Sequence, residues 1–162
     1  MERIYAPWRH EYVTEEKIKG CVFCHIAKNL TDEKMQVVFS DELCYVVMNK
    51  YPYSPGHMMV IPYSHTDKIE DLEEEIWLRM SKRVQQGVKL LKDVMNAQGV
   101  NIGMNLSDAA GAGIAEHVHY HLLPRWKGDT NFISVIGNTR VYPVDFEEIY
   151  TKLKISASKY FL

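Results

Sequence analysis

The chain has 162 residues, of which 46% are hydrophobic and 25% charged, and its formal net charge is -2 at pH 7. This length supports one domain with a sizeable core and is short for two, so we expect a single domain over residues 1–162. The charge excludes the strongly basic surface that binding of polymeric nucleic acid requires, whereas a small phosphorylated ligand needs only a local site.

The N-terminal residues contain no apolar run of signal-peptide length, and no run of roughly eighteen apolar residues occurs anywhere. We therefore expect a cytoplasmic protein that does not enter a membrane. The chain has three cysteines, an odd number that argues against a disulfide framework when no export signal is present. Metal ligation or plain burial is the expected role of these cysteines, and Cys44, which lies inside an apolar run, is expected to be buried.

In chain order, an N-terminal arm over residues 1–20 is followed by a short helix that ends at about residue 29. Runs of β-branched and aromatic residues then predict five strands, of which the first two form a hairpin. The predicted strands are residues 36–39, 43–49, 57–62, 100–106 and 116–126.

A long helix is predicted between the third and fourth strands. Asp71 with Glu74 resembles a capping box at its start, and Gly99 ends its apolar pattern. Apolar residues recur at spacings of three and four, which predicts one face packed on a sheet: Ile76, Met80, Val84, Val88, Leu91 and Met95. Residues 127–141 look irregular, and a closing helix from Asp145 lies in a C-terminal tail over 143–162. These elements predict an α+β fold with a mainly antiparallel sheet.

Three histidines occupy alternate positions of the fifth predicted strand, namely His117, His119 and His121. In a strand their side chains would project from one face. Alternate histidines can hold a catalytic metal with an open position, or they can supply a nucleophile whose neighbours fix its tautomer. The spacing alone does not choose between these two chemistries. The small, Gly-rich loop before the row, residues 108–113, favours phosphate binding nearby because glycine lets backbone N–H groups approach an anion.

Residues 117–125, His-Val-His-Tyr-His-Leu-Leu-Pro-Arg, resemble the signature of the histidine triad (HIT) superfamily of nucleotide hydrolases and transferases. Residues 55–62, Pro-Gly-His-Met-Met-Val-Ile-Pro, resemble its second hallmark, a Pro-Gly-His turn before a strand. Residues 6–9 and 124–132 look most like its bacterial diadenosine tetraphosphate phosphorylase branch. The resemblance implies a five-stranded antiparallel sheet with helices and a protein that forms a homodimer or a higher homo-oligomer.

The resemblance also implies a role for each histidine of the reaction site. His119 would attack the α-phosphorus of a dinucleoside polyphosphate and form a nucleotidyl-imidazole intermediate, which water or inorganic phosphate would resolve. His121 and His57 would stabilise charge on the transferring phosphoryl group. Asn49 would contact ribose and Asn105, on the neighbouring strand, would donate to phosphate; ordinary turn or sheet-end roles compete with both.

Further substrate contacts are expected from backbone and aromatic groups. Gly111 and Gly113 would offer N–H groups to phosphate, but this loop lacks the serine or glutamine that many relatives carry there. The choice between hydrolysis and phosphorolysis is therefore open. Trp126, like Trp8 and Phe132, would stack on adenine or else pack in the core or a dimer interface.

Cys21 and Cys24 form a Cys-x-x-Cys pair. No strand precedes the pair as a thioredoxin-like redox site requires, whereas half of a tetrahedral zinc site needs two more ligands. The resemblance implies that His65 and His117 complete one structural zinc site per chain. His25 is an alternative fourth ligand, although it lies close to Cys24 in the chain, and His10 is expected on the surface. Two other functions stay open at this point: a metallohydrolase with a catalytic zinc on the histidine row, and a nucleotide-binding module without turnover.

Overall fold

The computed structural model describes residues 19–132, 136 and 144–162. Most of the N-terminal arm, including His10 and Trp8, and much of the segment predicted to be irregular lie outside these residues. The described part contains the helices α1 (Val22–Lys28), α2 (Glu74–Met95) and α3 (Phe146–Ala157), and the strands β1 (Val37–Ser40), β2 (Cys44–Met48), β3 (Met58–Pro62), β4 (Gly99–Gly103) and β5 (Tyr120–Arg125). Short 3-10 helices cover Glu33–Met35, Ile69–Asp71 and Asp108–Ala110.

The five strands form one antiparallel sheet in the order β1-β2-β3-β5-β4, which confirms the predicted α+β fold. Because β5 lies between β3 and β4, the segment before β3 and the histidines near the start of β5 become neighbours. Met59 pairs with His121 in this register. The topology, rather than the chain order, therefore brings the two histidine-containing motifs together.

Each face of the sheet has its own core. On one face Met58, Val60 and Leu122 pack with α2 and α3. On the other face Met59 and Ile61 pack with α1 and with Tyr45. This alternation along β3 follows from the period of two in a strand. Every strand residue of β2 and β3 is buried, so the sheet is a rigid support for side chains at its edge.

Helix α2 begins two residues later than its sequence pattern predicts. Asp71 lies in a 3-10 helix, Glu73 is the residue before the first helical turn, and its side chain makes no capping hydrogen bond. The predicted capping box at Asp71 is therefore wrong, because the 3-10 turn occupies the residues that a cap would need. The apolar face is confirmed by buried Ile76, Met80, Val84 and Leu91.

Two strand boundaries also differ from prediction in ways that affect the site. β5 begins at Tyr120, so His117 and His119 precede the strand and only His121 lies within it. β4 ends at Gly103, so Asn105 follows the strand rather than belonging to it. The histidine row is thus an extended segment that leads into a strand. The closing helix is confirmed: Asp145 caps α3 by accepting hydrogen bonds from the backbone N–H groups of Glu147 and Glu148.

Among the described residues, no helix combines the length and the apolar character that crossing a bilayer demands.

Candidate active site and metal-ligand cluster

Three imidazoles meet at the edge of the sheet face that α1 covers, and we call His57, His119 and His121 the histidine cluster. The antiparallel pairing of β3 with β5 places His57 Nε2 2.8 Å from His121 Nδ1. The rings of His119 and His121 meet edge to face with centroids 4.7 Å apart. His57 is fully buried and His119 is nearly so.

Hydrogen bonds to the backbone fix the proton positions in two members of this cluster. The N–H of Tyr53 can only donate, so His57 accepts this bond at Nδ1, over 3.2 Å, and a neutral His57 carries its proton on Nε2. That proton points to His121 Nδ1. His121 therefore carries its own proton on Nε2, from where it can be donated to a ligand.

His119 has the opposite tautomer. Its Nδ1 lies 2.8 Å from the carbonyl oxygen of His117, and a carbonyl can only accept, so the proton is on Nδ1. The Nε2 atom then has an unprotonated lone pair. A neutral imidazole with one nitrogen anchored and the other unprotonated is the form that acts as a nucleophile near pH 7.

Burial keeps all three imidazoles uncharged at neutral pH. Burial and then the neighbouring histidines lower the pKa of His57 to about 3, and burial and then His119 lower the pKa of His121 to about 4. Burial likewise lowers the pKa of His119. The cluster can therefore offer a lone pair and N–H donors together, which protonated imidazoles could not do.

A second group lies beside the histidine cluster, and we call Cys21, Cys24, His65 and His117 the metal-ligand cluster. One sulfur or ring nitrogen from each residue lies within 4.8 Å of the others. The shorter distances are 3.4 Å from Cys21 Sγ and 3.8 Å from Cys24 Sγ to His117 Nδ1, and 3.3 Å from Cys24 Sγ to His65 Nδ1.

These distances fit the edges of a coordination tetrahedron. An ion bound at about 2.3 Å to sulfur and about 2.0 Å to nitrogen separates adjacent ligand atoms by about 3.5 Å. His117 is also oriented as metal-binding histidines are, because its Nε2 lies 3.0 Å from the carbonyl oxygen of Pro62 and turns Nδ1 toward the cysteines. His25 is not a member of the cluster. The residues therefore fit a metal ion with a closed set of four protein ligands.

The histidine row thus contributes to both clusters, and His117 connects them. Its ring faces the metal-ligand cluster, while its backbone carbonyl fixes the tautomer of His119. The rings of His117 and His119 both contact Phe23 of α1, so the extended segment before β5 directs both rings toward the sheet face that α1 covers.

The residues with predicted substrate contacts occupy different places. Asn105 lines a cleft of about 220 Å³ together with His121 and Tyr53, and its amide nitrogen lies 3.5 Å from the carbonyl oxygen of Gly111. Asn49 follows β2 directly, and its backbone N–H donates to the carbonyl oxygen of His57. A larger depression of about 410 Å³ runs along α2 around Arg79 and Arg83, but it contains no histidine, so its size does not make it the reaction site.

The remaining substrate predictions fall on the loop and on the opposite sheet face. Gly111 ends the 3-10 helix Asp108–Ala110 with φ +86°, a conformation that favours glycine, and Gly113 follows in the same loop. Trp126 packs against the core that α2 covers, and its indole N–H donates to the carbonyl oxygen of Asn96 over 3.0 Å. The structure does not bring Trp126 next to the histidine cluster within this chain.

Sequence reasoning missed two residues of the site. The backbone of Tyr53 sets the tautomer of His57, and the ring of Tyr53 lies 4.9 Å from that imidazole. Phe23 contacts both His117 and His119. A usable signal existed for Phe23, since it is the aromatic residue between the two cysteines. No comparable signal existed for Tyr53, because a backbone donor carries no residue type.

Comparison with known proteins identifies the family. The family model of the HIT domain matches residues 31–128. The chain belongs to the HIT domain family. It is 38% identical over 152 residues, 88% of this chain and 77% of the relative, to an AP-4-A phosphorylase of Mycobacterium tuberculosis (strain ATCC 25618 / H37Rv). It is 29% identical over 94 residues, 58% of this chain and 62% of the relative, to a bis(5'-adenosyl)-triphosphatase of Dictyostelium discoideum.

Solved structures of HIT proteins share the fold. A Zn-bound histidine triad family protein from Mycobacterium smegmatis has a TM-score of 0.71 at 29% identity, covering 86% of this chain and 94% of that chain. A hypothetical histidine triad nucleotide-binding protein from Sulfolobus tokodaii has a TM-score of 0.70 at 26% identity, covering 86% and 93%. The resemblance drawn from the two sequence motifs is therefore confirmed at the level of family and fold.

Proposed function

We propose that this HIT protein cleaves dinucleoside polyphosphates such as diadenosine tetraphosphate, with His119 as the nucleophile. The observation that carries the proposal is the unprotonated Nε2 of His119, which is left free to react because Nδ1 donates to the carbonyl of His117. The names of the M. tuberculosis and D. discoideum relatives support the substrate class.

The reaction we propose has two steps. In the first, His119 Nε2 attacks the α-phosphorus, a P–N bond forms, and the bond from the α-phosphorus to the bridging oxygen breaks with its electron pair leaving on the departing nucleotide. In the second, an oxygen of water or inorganic phosphate attacks the same phosphorus, and the P–N bond breaks with its electron pair returning to His119 Nε2. Attacking water loses its proton to solvent. The Nε2–H of His121, backed by His57, donates to the phosphoryl oxygens where negative charge develops.

Three further residues are proposed to hold the nucleotide. Asn105 lies in the cleft beside His121, where its amide can reach phosphate, and Gly113 in the adjacent loop offers its backbone N–H. The expected contact from Gly111 has no support, because its N–H donates to the carbonyl oxygen of Asp108 over 2.8 Å. Asn49 lies at the end of β2, tied to His57 through the backbone, and is proposed to contact ribose. Stacking of adenine on Trp126 has no support from the geometry of the single chain.

The metal-ligand cluster is proposed to hold one structural zinc ion. Two sulfur and two nitrogen atoms are the ligands that tetrahedral zinc prefers, and four protein ligands leave no open position for a substrate. This argues against the alternative of a catalytic zinc on the histidine row. His119 Nδ1 and His121 Nδ1 are also engaged in other hydrogen bonds.

The protein is proposed to act as a homodimer or higher oligomer in the cytoplasm. β4 is an edge strand with exposed backbone groups and an exposed Ile102, which suits pairing with a second copy. Cys21 and Cys24 form no disulfide and are placed to bind metal, which suits a reducing compartment, where cysteines stay reduced. Sedimentation equilibrium of wild-type protein against Ile102→Lys tests the dimer, which the variant should weaken.

The substrate class is tested by product analysis. The protein is incubated with diadenosine tetraphosphate, with and without inorganic phosphate, and the nucleotides are separated. ADP plus ATP that form only with phosphate identify a phosphorylase, whereas AMP plus ATP without phosphate identify a hydrolase. Tight nucleotide binding without any product under either condition would contradict the proposal and would favour a binding module.

A further inference from the structure

Phe23 lies between the two clusters and contacts both. Its ring meets His117 edge to face at 5.6 Å between centroids and meets His119 at 4.8 Å with an interplanar angle of 62°. Only 1% of Phe23 is exposed. His119 therefore contacts two rings, those of Phe23 and His121. Edge-to-face contacts of this kind have a preferred geometry as well as a burial energy.

The backbone of Phe23 is fixed independently of its ring. Its carbonyl oxygen accepts a hydrogen bond of 2.8 Å from the hydroxyl of Tyr45, which is fully buried in β2. The neighbours Cys21 and Cys24 belong to the metal-ligand cluster, so a bound ion would tie both ends of this four-residue segment to His65 and His117. Phe23 is thus held by Tyr45 from one side and carried on the segment that provides two of the four residues of the metal-ligand cluster.

We propose that Phe23 is a positioning residue for His119. Metal bound by the adjacent cysteines would then raise the reaction rate by fixing the position of the Phe23 ring. The inference rests on the proposed function. The single hydrogen bond from Nδ1 anchors one edge of the imidazole of His119 and leaves its tilt to be set by packing. A displacement of about 1 Å at a reacting atom can lower a rate by roughly a hundredfold.

The first test compares Phe23→Leu with Phe39→Leu as a matched control. Phe39 is also aromatic and partly buried, but it stacks on Phe161 in the core on the other sheet face. We expect Phe23→Leu to slow formation of the nucleotidyl adduct at least tenfold in single-turnover kinetics, with KM within about twofold of wild type and a full metal content. Phe39→Leu should form the adduct at the wild-type rate. Phe23→Met serves as a second variant if the leucine protein does not fold.

The second test removes the metal with a chelator and needs no turnover. The ring protons of His119, observed by NMR, should shift on metal removal in wild type, because the ring current of Phe23 moves, and should shift far less in Phe23→Leu. Rates should show the same non-additivity, with chelation slowing wild type more than the variant. Equal shifts and additive rates would overturn the inference. If wild type forms no adduct at all, the proposed function fails instead, so the two failures are distinguishable.

Discussion

The metal-ligand cluster and the histidine cluster both contain imidazole side chains, but the ring nitrogens have different neighbours in the two clusters. In the metal-ligand cluster, ring nitrogens of His65 and His117 point inward at two sulfur atoms, and the second nitrogen of His117 is engaged by a carbonyl. In the histidine cluster, both ring nitrogens of His57 are engaged in hydrogen bonds, whereas His119 and His121 each use Nδ1 and keep Nε2 for a ligand. His117 and His119 each have one ring nitrogen beside a backbone carbonyl oxygen, so the two residues differ in what the other nitrogen faces, which for His117 is a pair of sulfur atoms.

Substitutions in the two clusters should therefore have different effects. Changes in the histidine cluster should lower the rate and leave the metal bound, whereas changes in the metal-ligand cluster should release the metal and lower stability.

The largest effect is expected from His119→Ala. Loss of the nucleophile should reduce kcat by roughly 10⁴-fold or more while the metal content stays at the wild-type value. Steady-state kinetics and metal analysis of the same preparation measure both quantities. Wild-type turnover in this variant would contradict the assignment of His119.

The next largest effect is expected from His65→Ala, with His25→Ala as its control. His65 belongs to the metal-ligand cluster and His25, one residue beyond Cys24, does not. We expect His65→Ala to lose stoichiometric metal and to unfold at a lower temperature, because metal binding energy contributes to folding. His25→Ala should keep the metal. The reverse result would make His25 the fourth ligand.

A smaller effect is expected on the pH dependence of stability, to which the histidine cluster contributes. The pKa of His121 is about 4 in the folded protein against an ordinary value of 6.5. Between these values the unfolded chain binds a proton that the folded chain does not, so stability should fall as pH falls from about 6.5 toward 4. His57, with a pKa of about 3, should extend the loss to lower pH.

Denaturant unfolding of wild type and His121→Gln from pH 7.5 to 4.5 measures this loss. The variant should show a shallower decline because it lacks one of the titrating groups, while metal release contributes to both proteins. Parallel curves would show that His121 does not stay neutral when folded.

The smallest effect is expected from Trp126→Phe. The change removes the hydrogen bond to Asn96 and should cost about 1 kcal/mol of the free energy of unfolding. Because the indole packs on the sheet face opposite the histidine cluster, KM should stay within about twofold of wild type. A much larger rise in KM would support the predicted contact between Trp126 and adenine.

Much of the fold could be predicted from the sequence because its signals are local. The apolar spacing of α2 and the β-branched runs of β1 to β3 each specify an element without reference to the rest of the chain. The sheet order is not local and was not predicted, because the resemblance to the HIT superfamily implied five antiparallel strands without their order. The predicted start of α2 was wrong because a 3-10 turn at Asp71 occupies the residues that a helix cap would need.

The residues of the site could largely be predicted from the sequence, but the contacts between them could not. The four residues of the metal-ligand cluster converge as the resemblance implies. The role of Tyr53 depends on a backbone N–H, which leaves no pattern in the chain, whereas Phe23 is marked only by its place between the two cysteines. The division of the histidine row also depends on where β5 begins, and strand ends are poorly specified by composition.

The nucleophile is the central claim, and one measurement tests it most directly. Wild-type protein is mixed with diadenosine tetraphosphate, quenched in acid-free denaturant within the first turnover, digested and examined by mass spectrometry. We predict a nucleotidyl group on the peptide that contains His119, assigned to that residue by fragmentation and missing from His119→Ala. Products that accumulate without any adduct, or an adduct on His57 or His121 instead, would contradict the account.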